Sequence, residues 1–159
     1  FSKVIAESRR HFVVVDTAPT GHTLLLLDAT GSYHREGARQ LGDRHFTTPL
    51  MRLQDPESTK VIIVTLAETT PVLEAAGLDA ELRRAQIHPW AWVINNSLAA
   101  AEPSAPLLRR RAAAEIAQIE TVRNDYADRI AVVPLLAVEP VGIPALQALA
   151  NASDRAVNR

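Results

Sequence analysis

The chain has no cysteine among its 159 residues. Disulfides and thiolate metal sites are therefore excluded within it. It has only two lysines, Lys3 and Lys60, and neither follows a glycine. A phosphate-cradling Walker A loop needs a Gly-Lys pair, so these residues cannot grip ATP phosphates by that route. Aromatics make up 4%, and Met51 is the single methionine, which leaves no methionine-lined apolar groove. Every apolar run is shorter than the roughly 18–20 residues that span a bilayer. Net charge is −1, so no strong field draws nucleic acid or an anionic membrane, and no nucleic-acid partner is expected. The chain opens on Phe1, and "SKVIAESRRHF" reads as the end of a helix entering a strand. The expectation is a piece of a longer protein.

With 47% apolar and 22% charged residues, the composition is that of a globular domain with an ordinary core. Four short β-rich runs stand out: "FVVVD" (12–16), "KVIIVTL" (60–66), "AWVIN" (91–95) and "IAVVPLL" (130–136). None alternates apolar with polar, which suits strands of a parallel sheet buried on both faces. Helical patterns separate them. Thr70 can cap a helix with Pro71 at its first position, where a missing N–H costs nothing. In residues 104–130, Leu108, Ala112, Ile116, Ile119, Val122 and Tyr126 recur at three- and four-residue steps, giving one apolar stripe with Arg109, Arg110 and Arg111 largely off it. A last helix is expected from Ile143 or Pro144 through Leu149, with residues 151–159 as a tail. Residues 33–57 read as short helices and loop, with "DPEST" at Asp55 as a turn or cap. Strand alternating with helix means an α/β, doubly wound sheet.

Ligands of such sheets sit at the carboxyl ends of the strands. Asp16 ends the first run and admits two readings, a carboxylate serving nucleotide-bound magnesium or the cap of a helix starting near Thr20. Pro19 and Gly21 make a turn, and His22 follows it as a loop residue or a ligand. The other histidines (His11, His34, His45, His88) show no i,i+4 pairing, so no zinc-type motif is present. Asn95 and Asn96 offer both donors and acceptors, which suits a purine edge, while Asn is also a common turn residue. Pro134 and Leu135 stand where an apolar base could rest. Glu68 is either an acid supporting the site or a charge at a helix N-terminus.

The stretch "DTAPTGHTLLLLD" resembles the signature of arsenical pump-driving ATPases. The resemblance runs along nearly the whole chain, because "HFTTP", "LQDPE", "VTLAETTPVLEA", "IHPWAWVINNSL" and "VPLLAVEPVGI" follow in the family's order. It points to the later part of the second of two homologous nucleotide-binding halves. The implied fold is a mostly parallel, doubly wound α/β sheet of the P-loop NTPase type, incomplete here because the P-loop strand and helix lie elsewhere, with residues 1–159 as the C-terminal part of one such domain.

The resemblance also implies roles. Asp16 matches the aspartate that serves magnesium, through water. Thr17, Ala18, Pro19, Thr20, Gly21 and Thr23 match the switch that couples nucleotide to metalloid, and His22 matches its metalloid- or metal-binding histidine. Asn95 matches an asparagine near the adenine, and Pro134 and Leu135 the loop flanking the base. ATP and Mg2+ are the implied cofactors, arsenite or antimonite the activator. The implied partners are the other nucleotide-binding half and an integral-membrane arsenite efflux channel, which places the whole protein in the cytoplasm at the inner membrane. Arsenite and antimonite prefer thiolates, so an imidazole alone cannot make their site. The isolated segment is expected to be inactive, and its uncovered sheet edge invites self-association. Two alternatives stay open. One is the related ATPase that targets tail-anchored membrane proteins, whose eukaryotic forms carry a CxxC pair absent here. The other is a non-catalytic nucleotide-binding or regulatory module.

Overall fold

A computed structural model describes residues 11–16 and 49–157. The chain divides into two compact units. Of the described residues, one unit takes in 11–16, 49–61 and 78–89, and the other takes in 62–77 and 90–157.

The second unit is α/β. Its sheet has three parallel strands, β1 (Ile62–Leu66), β2 (Ala91–Ser97) and β3 (Ile130–Pro134), in the order β1-β2-β3. The register pairs Val64 with Val93, Trp92 with Ile130 and Ile94 with Val132. Helix α2 (Thr69–Arg84), of which the residues up to Gly77 belong to this unit, follows β1, and a short α3 (Leu98–Ala101) and a long α4 (Pro106–Thr121) follow β2. Both crossovers advance the same way across the sheet, so right-handed connection puts their helices on one face. That face is the core: Ile63, Trp92 and Ile94 from the strands and Val72, Ala75, Ala112, Ile119 and Val122 from the helices are all buried.

Alpha-helix α4 starts with Pro106 in its first turn, where no N–H is required. It ends in a wider π-helical turn, Val122–Tyr126, closed by the Ala127 N–H donating to the Val122 carbonyl at 3.0 Å. Tyr126 stacks on the buried Trp92 ring, centroids 5.5 Å apart and planes 15° from parallel. Such a pair adds about 0.5–1.5 kcal/mol beyond its buried area. Beside the amino end of β2, the Arg129 guanidinium lies 4.9 Å over the Trp90 ring. The last helix, α5, spans Ile143–Val157, so the backbone of 151–157, expected as a tail, is helical.

In the first unit, α1 (Pro49–Gln54) leads into the Asp55 turn. Gln54 Nε2 donates to the Ala85 carbonyl at 2.9 Å, just past the end of α2. That end is a Schellman closure: Ile87 N–H donates to the Leu82 carbonyl and Gln86 N–H to the Arg83 carbonyl, both at 2.9 Å. Gln86 takes φ +61°, where glycine is usual, and burial of Leu82 and Ile87 together offsets the strain. The buried Asp79 carboxylate is met by Arg83 Nε at 2.6 Å, one turn on.

Three expectations are corrected. Residues 12–16 form no strand; Phe12 is 95% exposed, and this run has no ladder partner among the described residues. An apolar run becomes a strand only when a neighbour takes up its backbone groups. Strand β1 is not covered on both faces either: Ile63 and Thr65 are buried while Ile62, Val64 (62%) and Leu66 are exposed. Finally, α2 begins at Thr69 rather than after a Thr70 cap: the Val72 N–H already bonds the Glu68 carbonyl at 3.1 Å, and Pro71 sits within the first turn, where its missing N–H is still tolerated.

The Asp55 turn predicts a measurable titration. Asp55 Oδ2 accepts from the Ser58 hydroxyl and Oδ1 from the Glu57 N–H at 3.0 Å. The Ser58 hydrogen bond first, and the Glu57 N–H second, hold the carboxyl below the ordinary 3.8. The depressed value means that the turn's contribution is present above the ordinary aspartate range and is lost as pH falls through the lowered one. Carboxyl-detected NMR of the wild type places Asp55 below the ordinary value, and Ser58→Ala moves it back up; no movement removes the hydroxyl as the cause.

Candidate functional site

The carboxyl rim of the sheet carries the candidate site, and one irregularity shapes it. The β2–β3 ladder is regular as far as Ile94 with Val132, then resumes with Ser97 opposite Pro134. Asn95 and Asn96 fill the gap as a bulge. Asn96 has φ +53°, in the left-handed region that asparagine enters more readily than most residues. A bulge unpairs residues and re-aims their side chains, and bulges recur beside ligand sites. Among the described residues, neither the Asn95 nor the Asn96 side chain carries a hydrogen bond. Asn95 is half-buried and Asn96 exposed, so both amides remain open to a ligand.

Ser97 closes the bulge. Its carbonyl accepts from the Leu135 N–H at 2.9 Å, which fastens the 134–135 corner beside the asparagines. The structure thus brings Asn95, Pro134 and Leu135 to the ends of adjacent strands. Pro134 is half-buried and Leu135 exposed, and exposed apolar side chains continue through Leu136, Val138 and Val141. A flat apolar ring could rest on this corner while an amide reads its edge.

Ser97 is itself 1% exposed, so its hydroxyl must be satisfied internally. It donates to Glu115 Oε2 at 2.8 Å and accepts from the Ala100 N–H at 3.2 Å, capping α3. The same Glu115 oxygen accepts from the Ala99 N–H at 3.0 Å. Glu115 lies on the core-facing side of α4, between Ala112 and Ile119. Neither residue stands out in the sequence. The available signal was a carboxylate three residues after Ala112 and four before Ile119, inside an apolar stripe.

The other anticipated residues fall elsewhere. Asp16 is exposed and belongs to the other unit. Thr17, Ala18, Pro19, Thr20, Gly21, His22 and Thr23 lie outside the described residues. Glu68 immediately precedes α2 and sits 3.8 Å from Arg111 Nη2, both largely exposed, so the pair contributes little. An open depression of about 350 Å³ is lined by Ala99, Glu102, Arg109 and Ile116 among others, and not by Asn95, Pro134 or Leu135. Among the described residues no group of three or more His, Asp or Glu side chains could hold a metal ion, and no helix is long and apolar enough to cross a membrane.

Comparison with known proteins gives the chain a family. Residues 45–153 match the family described as Anion-transporting ATPase. The chain is 65% identical over 150 residues to the arsenical pump-driving ATPase of Acidiphilium multivorum, covering 94% of this chain and 26% of that protein. Two arsenical pump-driving ATPases of Escherichia coli are each 64% identical, over 152 and 150 residues, covering 95% and 94% of this chain and 26% of each. The chain therefore spans about a quarter of the length of the curated relatives it matches. The parallel α/β sheet is part of a P-loop NTPase fold, and the chain belongs to the anion-transporting ATPase family.

Proposed function

We propose that this chain is the base-reading and switch-bearing part of an ATPase that couples metalloid-stimulated ATP hydrolysis to arsenite and antimonite efflux through a membrane channel. The observation that carries the reading is the rim geometry. Asn95 stands with its amide open beside the Pro134–Leu135 corner, at the carboxyl ends of adjacent parallel strands. Ligands of open α/β sheets bind at such ends.

In this reading Asn95 hydrogen-bonds the adenine edge, and Pro134 and Leu135 pack on the ring. Asp16 would hold magnesium through water. Its exposed carboxylate fits, because magnesium keeps several waters and needs only one or two carboxylates besides phosphate. Bound there, the ion would supply positive charge against the negative charge that develops in phosphoryl transfer. Thr17, Ala18, Pro19, Thr20, Gly21 and Thr23 form the switch, and His22 contributes one imidazole toward the metalloid. The chain contains no thiolate, so the remaining metalloid ligands, like the phosphate-gripping loop, come from elsewhere in the complete protein or its other nucleotide-binding half. A protein of this design works at the cytoplasmic face of its channel. Catalysis is then positioning and electrostatics, shared between this chain and residues outside it.

Three measurements test the assignment. The isolated chain hydrolyses no ATP above background, and measurable turnover would contradict the division of labour. In the complete polypeptide, Asp16→Asn lowers magnesium-dependent turnover by about a hundredfold; near-wild-type rates remove Asp16 from the site. His22→Ala shifts the antimonite activation curve to about tenfold higher concentration, and an unshifted curve argues against a ligand role.

A further inference from the structure

We propose that Glu115 is a positioning residue for nucleobase recognition, acting through Ser97 on the bulge that carries Asn95. This rests on the reading of Asn95 as the adenine-edge contact.

The bulge is held at both ends. On one side Ile94 is fully buried and paired with Val132. On the other, Ser97 re-enters the ladder opposite Pro134, and its carbonyl also holds the Leu135 N–H. The backbone between these points is two residues long, and Asn96 stands in the left-handed region. Asn95 keeps its register with Leu66 of β1, so Ser97 sets the β3 side of the bulge: the course of the chain through Asn96 and the Leu135 corner beside the Asn95 amide. Ser97 is fixed by its side chain, whose hydroxyl donates to Glu115 Oε2 at 2.8 Å. The same oxygen takes the Ala99 N–H at 3.0 Å. One carboxylate oxygen on α4 thus clamps both the end of β2 and the start of α3. A charged side chain on the core-facing side of a helix is costly unless its hydrogen bonds are made. Among the described residues Glu115 makes them to the segment that follows the asparagines.

The clamp needs an acceptor at that point. Glutamine supplies one of the same length, alanine supplies none, and aspartate is one methylene short. With the clamp gone, Ser97 keeps its bonds from the Leu135 and Ala100 N–H groups but loses its tie to α4, so the bulge and the Leu135 corner are held less tightly against the Asn95 amide.

The test measures kcat/KM for ATP and for GTP in the complete polypeptide that contains this chain. Asn95→Ala, the control for the base reading, lowers the ATP-over-GTP preference about tenfold. Glu115→Ala lowers it comparably, with the loss mainly in KM for ATP, while Glu115→Gln keeps the preference within about twofold. A general loss of stability would instead lower the rates with both nucleotides equally and leave their ratio alone. If Asn95→Ala erodes the preference and Glu115→Ala does not, the positioning role is overturned while the base reading stands. If Asn95→Ala itself leaves the preference intact, the base reading fails and this proposal with it. Glu115→Gln falling with alanine also overturns the proposal, because acceptor geometry is then not what matters. Should Glu115→Ala not accumulate as folded protein, Glu115→Asp takes its place under the same criteria.

Discussion

The hydrogen bond from the Ser97 hydroxyl to Glu115 is the constraint on which the carboxyl rim depends. Ser97 is buried, and a buried hydroxyl without partners destabilises the fold. Here both its donor and its acceptor capacity are used, across to α4 and forward into α3. Removing one partner of such a pair leaves the other unsatisfied, at about 1–3 kcal/mol. The ion pair between Glu68 and Arg111, at 3.8 Å with both side chains largely exposed, is worth at most about 1 kcal/mol. The comparison of magnitudes decides which contact organises the rim. The site hangs on a buried hydroxyl and a carboxylate.

The remainder of the second unit gives that clamp something rigid to work against. Trp92 stacks on Tyr126, Ile94 and Val122 are fully buried, and the parallel ladder ties β2 to a strand on either side. The asparagine bulge is thus a short irregular segment between well-packed neighbours. Asn95 stays in register with Leu66 of β1, while the pairing toward β3 is interrupted at Asn95 and Asn96. Among the described residues their side chains carry no hydrogen bond, and they stand at the edge where ligands of parallel sheets bind. The open face of β1 carries a different message. Ile62, Val64 and Leu66 have the composition of a strand covered on both sides, yet they are exposed. The chain corresponds to about a quarter of its curated relatives.

Much of this was legible in the residues. The runs at 60–66, 91–95 and 130–136 overlap β1, β2 and β3, because unbroken β-branched stretches of that length suit parallel strands. Asn95, Pro134 and Leu135 were picked out as strand-end residues, and they do lie together. The run at 12–16 has the same composition as β1 and is not a strand, since pairing depends on a neighbour that composition cannot name. The stripe on α4 was drawn through Ile116, which is 54% exposed, and around Glu115. At 100° per residue the buried residues Ala112, Ile119 and Val122 centre on a line that runs nearer Glu115 than Ile116. A pattern search for apolar residues steps over a carboxylate, whatever face it is on.

Residue order alone settled the family, the α/β class and the absence of thiolates and of a Gly-Lys loop, because these follow from motif, local periodicity and composition. Tertiary packing settled which apolar runs became strands, which face of β1 was covered, and where the β2–β3 ladder broke. It also turned Glu115 from one more acid on a helix into the partner of Ser97, eighteen positions away. Those outcomes rest on contacts between distant parts of the chain, whose free energies depend on what meets across space.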